Sequence, residues 1–88
     1  MKHELKTKPK FFKESWDENK LFEIRQNDRD FHVNDWITLR EFDELSGLYT
    51  GRSIEGKISY LTDFEQKEGF VVFSMIGVRR YEKAPTVK

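Results

Sequence analysis

The sequence predicts an α+β domain in which about five to six mostly antiparallel strands curl into a small barrel, with one or two short helices. Three observations support this fold class. The length of 88 residues suits a single domain, which we expect to span residues 1–88. One early segment has helical spacing of its apolar residues, and from Leu21 onward the apolar residues alternate. Turn-forming clusters separate the alternating segments.

The first elements are a short strand and a short helix. The segment "HELKT" reads as a strand, and Pro9 stands at a favourable first position for the helix that follows it. Phe12 and Trp16 lie four residues apart, which places both on one helical face, with Phe11 and Ser15 beside them. We expect this face to pack on the sheet.

The remaining segments predict strands. In "LFEIR" Phe22 and Ile24 share one face and Glu23 and Arg25 the other. In "WITLREF" one face has Trp36, Thr38, Arg40 and Phe42, and the other has Ile37, Leu39 and Glu41. In "SIEGKISYLTDF" one register contains Ile54, Ile58, Tyr60, Thr62 and Phe64. Gly56 interrupts that register and predicts a bulge or a barrel corner. The segment "GFVVFSMIGV" is apolar on both faces, so we expect it to be the most buried strand.

Composition excludes several classes of protein. The chain has no cysteine, which rules out disulfides and thiolate zinc sites and is typical of a cytoplasmic protein. Neither a membrane-spanning apolar run nor the apolar stretch of a signal peptide occurs. His3 and His32 lack the spacing of a metal site, and there is no glycine-rich phosphate loop. We therefore expect a cytoplasmic monomer without metal, cofactor or membrane partner.

The charges balance overall but are distributed unevenly. The chain has 16 basic and 16 acidic side chains, which argues against bulk electrostatic capture of long duplexes. Residues 1–13 contain five lysines and one glutamate, and residues 79–88 contain two arginines, two lysines and one glutamate. If the first and last strands were neighbours, the two ends would form one basic patch. Solubilising tails are the alternative interpretation.

The segment "KLFEIRQNDRDF" concentrates charges of both signs. Glu23 and Arg25 project from one strand face, and Arg25 and Arg29 each present a planar fork suited to a phosphate or a base edge. Asn27 lies in the turn between the two arginines. The segment predicts either an exposed hairpin whose charges pair with one another or a polar pocket. Asn34, in "VND", suits a turn position with positive φ.

These segments together resemble a small bacterial and phage branch of the ASCH superfamily, which has a PUA-like barrel. The resemblance rests on "HELKTKPKFF", "FEIRQNDRDF", "VNDWITLRE", "YTGR" and "ISYLTDFEQKEGFVVFSM", and it covers about residues 3–76. The family pattern often has glycine near Glu18 and at Asn34, where this chain has other residues. The Lys-and-acid motif of the superfamily maps onto Lys20, Glu23 and Arg25.

The resemblance implies binding of RNA or a nucleotide in a cleft between the helix and the barrel. Its implied binding residues are Lys8, Lys20, Glu23, Arg25, Asn27 and Arg29. One ASCH lineage is an amidohydrolase that acts on a modified nucleoside, and Lys20 matches its lysine. Glu23 stands where that lineage has a threonine nucleophile, and a carboxylate cannot replace the hydroxyl in the same covalent route.

Three functions therefore remain open at the level of sequence. A non-enzymatic RNA- or nucleotide-binding module is the leading interpretation. A small hydrolase would use Lys20 and Glu23, with Glu23 activating a water molecule. A protein-interaction domain of a phage or bacterium would instead expose an apolar patch around Leu45, Leu48 and Tyr49.

Overall fold

The structure, a computed structural model, describes residues 1–83, and within this range the chain forms five strands and one helix. In chain order the elements are β1 (Lys2–Thr7), α1 (Pro9–Trp16), β2 (Phe22–Gln26), β3 (Trp36–Asp43), β4 (Leu48–Thr62) and β5 (Phe70–Tyr81). The strands build one sheet in the order β1-β3-β4-β5-β2, and only the β1–β3 pair is parallel. The predicted α+β class and the small barrel-like arrangement of mostly antiparallel strands are confirmed at this level.

The sheet curls into a half-barrel with the edge strands β1 and β2 facing each other. The interior contains nine buried apolar side chains, which come from α1, from every strand except β2, and from the loop before β3: Leu5, Phe12, Phe31, Ile37, Leu39, Ile54, Ile58, Val71 and Phe73. Phe12 is fully buried, so α1 covers the core with the face predicted from its spacing. Because β1 and β2 are the two edges of the sheet, the open side of the half-barrel lies between them.

Helix α1 begins as predicted, with Pro9 in its first turn. Its C-terminal end is closed by backbone N–H groups of Asn19 and Lys20, which both donate to the Glu14 carbonyl oxygen at 2.9 and 3.0 Å. Glu18 adopts the left-handed conformation there, with φ of 62°. This turn reverses the chain and delivers Lys20 to the start of β2.

Two expectations about the strands are wrong. The pairing of β4 with β5 shifts register near Gly56 and again between Ile58 and Tyr60, so Tyr60 turns to solvent although it shares the predicted face with Ile58. The bulges therefore reverse which residues face the core. Strand β5 is not the most buried strand, because its second half extends past the core and exposes Ile76 and Val78.

The two basic ends of the chain do not adjoin as strands. Strands β3 and β4 separate β1 from β5 in the sheet, so the condition for a single basic patch is not met. Lys88, at the end of the basic C-terminal segment, lies outside the described residues.

Asp35 anchors the turn that leads into β3. Its carboxylate contacts His3 Nε2 at 2.8 Å and the N-terminal ammonium of Met1 at 3.1 Å, and it accepts a hydrogen bond from the His32 backbone N–H at 3.1 Å. Burial alone would raise the pKa of Asp35, but the hydrogen bond from His3 and the other two donors lower this pKa to about 2. The adjacent Asn34 has φ of 78°, as the turn prediction required.

Replacing Glu18 with glycine should stabilise the domain. A residue with a Cβ pays roughly 1–2 kcal/mol in the left-handed region, and glycine does not. Because glycine also adds freedom to the unfolded chain, we expect E18G to raise the free energy of unfolding by up to about 1 kcal/mol. Urea denaturation measures the change. The matched variant E14G, inside α1, should lose about 1 kcal/mol, and equal losses in both variants would contradict the prediction.

Replacing Asp35 with asparagine should lower the free energy of unfolding by about 1–3 kcal/mol at pH 7, because buried donors lose a charged acceptor. The folded-state pKa of Asp35, about 2, lies below its ordinary value of 3.8. The stabilisation is therefore present above pH 4 and is lost as the pH falls toward 2. Denaturation of both proteins from pH 2 to pH 7 should show a difference that shrinks at the acidic end; a constant difference would refute this linkage.

Candidate functional site

Strand β2 turns its charged face toward the interior of the half-barrel. The Glu23 residue is only 3% exposed, whereas its apolar neighbours Phe22 and Ile24 are 47% and 52% exposed. This orientation is the reverse of the usual amphipathic strand, which buries its apolar face. Sequence analysis left two interpretations of the charged segment, an exposed hairpin and a polar pocket. The burial of Glu23 agrees with a pocket, and the charges of the segment also pair with one another.

Two cations hold the buried carboxylate. Lys20 Nζ contacts Glu23 Oε2 and also donates to the Phe22 carbonyl oxygen at 2.8 Å. Arg25 Nε donates to the other carboxylate oxygen, Oε1, at 3.0 Å. Both carboxylate oxygens of Glu23 therefore have a charged donor, which compensates for removing this group from water.

Arg25 also connects the two edge strands. Its Nη1 donates to the Lys6 carbonyl oxygen and its Nη2 donates to Thr7 Oγ1, both at 3.1 Å. Lys6 and Thr7 end β1, which pairs with β3 and is an edge strand of the sheet that residues 1–83 form. One guanidinium thus links Glu23 in β2 to the end of β1 across the opening of the half-barrel.

A groove of about 550 Å³ lies at this opening. The groove is lined by Lys6, Thr7, Lys8, Phe11, Lys20, Phe22, Glu23, Ile24 and Arg25. Its floor is the Lys20–Glu23–Arg25 cluster, and the partly exposed rings of Phe11 and Phe22 belong to its walls. A planar ring with polar edges is the kind of ligand that aromatic walls and a charged floor can bind.

Four of the six residues predicted to bind a ligand line this groove: Lys8, Lys20, Glu23 and Arg25. Arg29 lies beside a second cavity, of about 500 Å³, which Arg25 also borders. Asn27 is not among the groove residues, and its side-chain oxygen accepts a hydrogen bond from the Phe31 backbone N–H at 2.9 Å. The side chain of Asn27 therefore stabilises the turn between Asn27 and Phe31.

The aromatic walls were missed at the level of sequence. Tryptophan and tyrosine rings also suit stacking on bases, but none of those in the described residues lines the groove: Trp16, Trp36, Tyr49, Tyr60 and Tyr81. Trp16 instead packs against the core, with the Arg52 and Arg80 guanidinium carbons 4.9 and 5.9 Å from its ring. Phe11 could have been identified from its position next to the buried Phe12, because consecutive residues of a helix point in different directions.

Apolar side chains are exposed at the turn between β3 and β4. Leu45 is fully exposed and Leu48 and Tyr49 are partly exposed, which fits the expected surface patch, although Tyr49 packs on Phe42 and under Arg40. Residues 1–83 contain no cluster of three His, Cys, Asp or Glu side chains arranged to hold a metal ion. In the same range no helix is long and apolar enough to cross a bilayer.

Replacing Arg25 with glutamine should destabilise the domain. The change leaves Glu23 Oε1, the Lys6 carbonyl and Thr7 without their charged donor, so we expect a loss of about 1–3 kcal/mol in the free energy of unfolding. Thermal and urea denaturation measure it. R29Q, an exposed arginine in the next turn, serves as the control and should change stability by less than about 0.5 kcal/mol. Equal stability of R25Q and the unmodified protein would refute the role of Arg25.

Comparison with known proteins places this fold and site in a family. Residues 2–75 match the model of a domain of unknown function, DUF3850. An uncharacterised 12.9 kDa protein encoded in the GpA 3′ region of Escherichia phage P2 is 34% identical over 61 residues. The aligned part is 69% of this chain and 54% of the phage protein, so the match spans about half of that relative. Strands β1–β4 and all groove residues fall within the matched range, and the chain belongs to the DUF3850 family.

Proposed function

We propose that this domain binds a nucleotide or a short single-stranded RNA in the groove between β1 and β2. The observation that carries the proposal is the buried Glu23 carboxylate, held by Lys20 and Arg25 at the floor of a groove with two aromatic walls. A carboxylate buried only for stability needs no adjoining groove of this size. The same cluster in a groove offers both donors and acceptors to a planar ligand.

Different residues of the groove suit the base and the phosphate of a nucleotide. The rings of Phe11 and Phe22 can stack on a base, and stacking tolerates any base because each has a π face. Lys8 borders the groove and offers an ammonium group to a phosphate, whereas the Lys6 ammonium lies 4.6 Å from the centre of the Phe42 ring. The Lys8 ammonium has a weak competitor, Glu44, at 3.8 Å, and both side chains are more than half exposed. Binding to phosphate therefore costs little internal pairing.

We also propose that the DUF3850 fold is a PUA-like barrel of the ASCH superfamily. The half-barrel with one helix beside its opening supports this relationship, as does the position of Lys20, Glu23 and Arg25 in the groove next to α1. The superfamily's association with RNA or nucleotide binding is then a further support for the proposed ligand.

A hydrolase is less well supported than a binding module. Both oxygens of Glu23 already accept hydrogen bonds from charged donors, so activation of a water molecule would require Lys20 or Arg25 to move away. A ligand can instead contact the exposed parts of the cluster without breaking it. The geometry therefore favours binding without turnover.

Ligand binding should depend on Phe11 and not on an exposed phenylalanine outside the groove. We expect F11A to weaken binding of a short single-stranded RNA about 5- to 100-fold, through loss of about 1–3 kcal/mol of stacking. F64A is the matched control, because Phe64 is 74% exposed and lies outside the groove. An NMR titration with RNA tetramers and nucleoside monophosphates measures both affinity and location.

The same titration tests the electrostatic part of the proposal. Affinity for the RNA should fall as salt rises, and K8Q should reduce the salt dependence while the exposed control K67Q should not. The proposal fails if no probe at millimolar concentration shifts the resonances of Lys20–Arg25. It also fails if F11A and F64A bind equally well.

A further inference from the structure

A small recess adjoins the floor of the groove. It has a volume of about 40 Å³ and shares Lys20, Phe22 and Glu23 with the groove. Its other lining residues come from α1, the following turn and the inner sheet: Ser15, Glu18, Leu21, Leu39, Ile54, Met75 and Val78. The recess thus lies on the core side of the Lys20–Glu23 pair.

The packing of the fold does not account for the buried hydroxyl of Ser15. It is buried, with only 9% of its surface exposed, and its Oγ has no hydrogen-bond partner among the described residues. A buried hydroxyl without a partner costs free energy, and alanine is a better residue at a helical position. A serine that lines a recess next to a binding groove has an explanation if a ligand supplies the partner.

The lining of the recess restricts what can enter it. Most of its walls are apolar side chains, and Lys20 and Glu23 are already paired with each other. An anionic group would lose its hydration there without gaining a free counter-charge, because the Lys20 ammonium is already paired. A water molecule needs roughly 10–15 Å³ by the same kind of measure, so the recess admits about two or three non-hydrogen atoms.

We propose that this recess is a specificity subsite in which Ser15 Oγ binds a small neutral substituent of a nucleobase, one with an apolar atom and one hydrogen-bonding atom. A hydroxymethyl group meets these requirements, because its carbon matches the apolar walls and its hydroxyl can pair with Ser15. The inference rests on the proposed function, since the base itself occupies the groove. It adds that the domain distinguishes a modified base from its unmodified parent.

Three probes separate the two proposals: cytidine, 5-methylcytidine and 5-hydroxymethylcytidine 5′-monophosphates. We expect the hydroxymethyl compound to bind about three- to tenfold more tightly than the methyl compound, the range of one net hydrogen bond. S15A should abolish this difference and leave binding of the parent nucleotide unchanged. S15T, which keeps the hydroxyl but fills the recess with a methyl group, should weaken the hydroxymethyl compound selectively.

The controls distinguish recognition from a structural role. S46A, an exposed serine in the β3–β4 turn, should retain the preference for the hydroxymethyl compound. S15A should unfold at the same or a higher temperature than the unmodified protein, because it removes an unpaired hydroxyl. Equal binding of all three nucleotides, or a preference that survives in S15A, overturns the subsite and leaves the groove proposal standing. Absence of binding by every nucleotide overturns both.

Discussion

The Glu23 carboxylate lies almost wholly out of water, and an ion in that position is tolerated only when charged donors surround it. Lys20 and Arg25 supply those donors from the same short segment of chain. Arg25 then reaches the end of β1, so the group that compensates the buried charge also ties one edge of the sheet to the other. The curl of the half-barrel and the shape of the groove both depend on this one cluster.

A cost in stability accompanies this arrangement. Strand β2 exposes Phe22 and Ile24 in order to turn Glu23 inward, which forfeits part of the apolar burial that a strand of this length could provide. Well-packed apolar residues often replace buried ion pairs without loss of stability. This domain retains the buried ion pair and exposes Phe22 and Ile24, so stability alone does not account for its sequence. We therefore expect the groove beside the ion pair to serve its function.

Sequence reasoning located the cluster but not its surroundings. Glu23 and Arg25 are two residues apart, so a strand places them on one face, and Lys20 reaches them from the turn that follows α1. The start of α1 was equally predictable from Pro9. Alternation shows that the two faces of a strand differ but not which one faces inward, and therefore the position of Phe22 at the groove could not be predicted. The bulge between Ile58 and Tyr60, which the sequence pattern did not indicate, turned Tyr60 to the opposite face.

Both edge strands that border the groove, β1 and β2, lie within the first 26 residues, yet neither of them pairs with the strand next to it in the sequence. Strand β1 pairs with β3, and β2 pairs with β5, where Phe22 is opposite Ser74. Contacts over such separations carry a high loop-closure cost and form late when a chain folds. The groove is therefore a product of completed folding: an N-terminal fragment that contains every lining residue would still lack the binding surface.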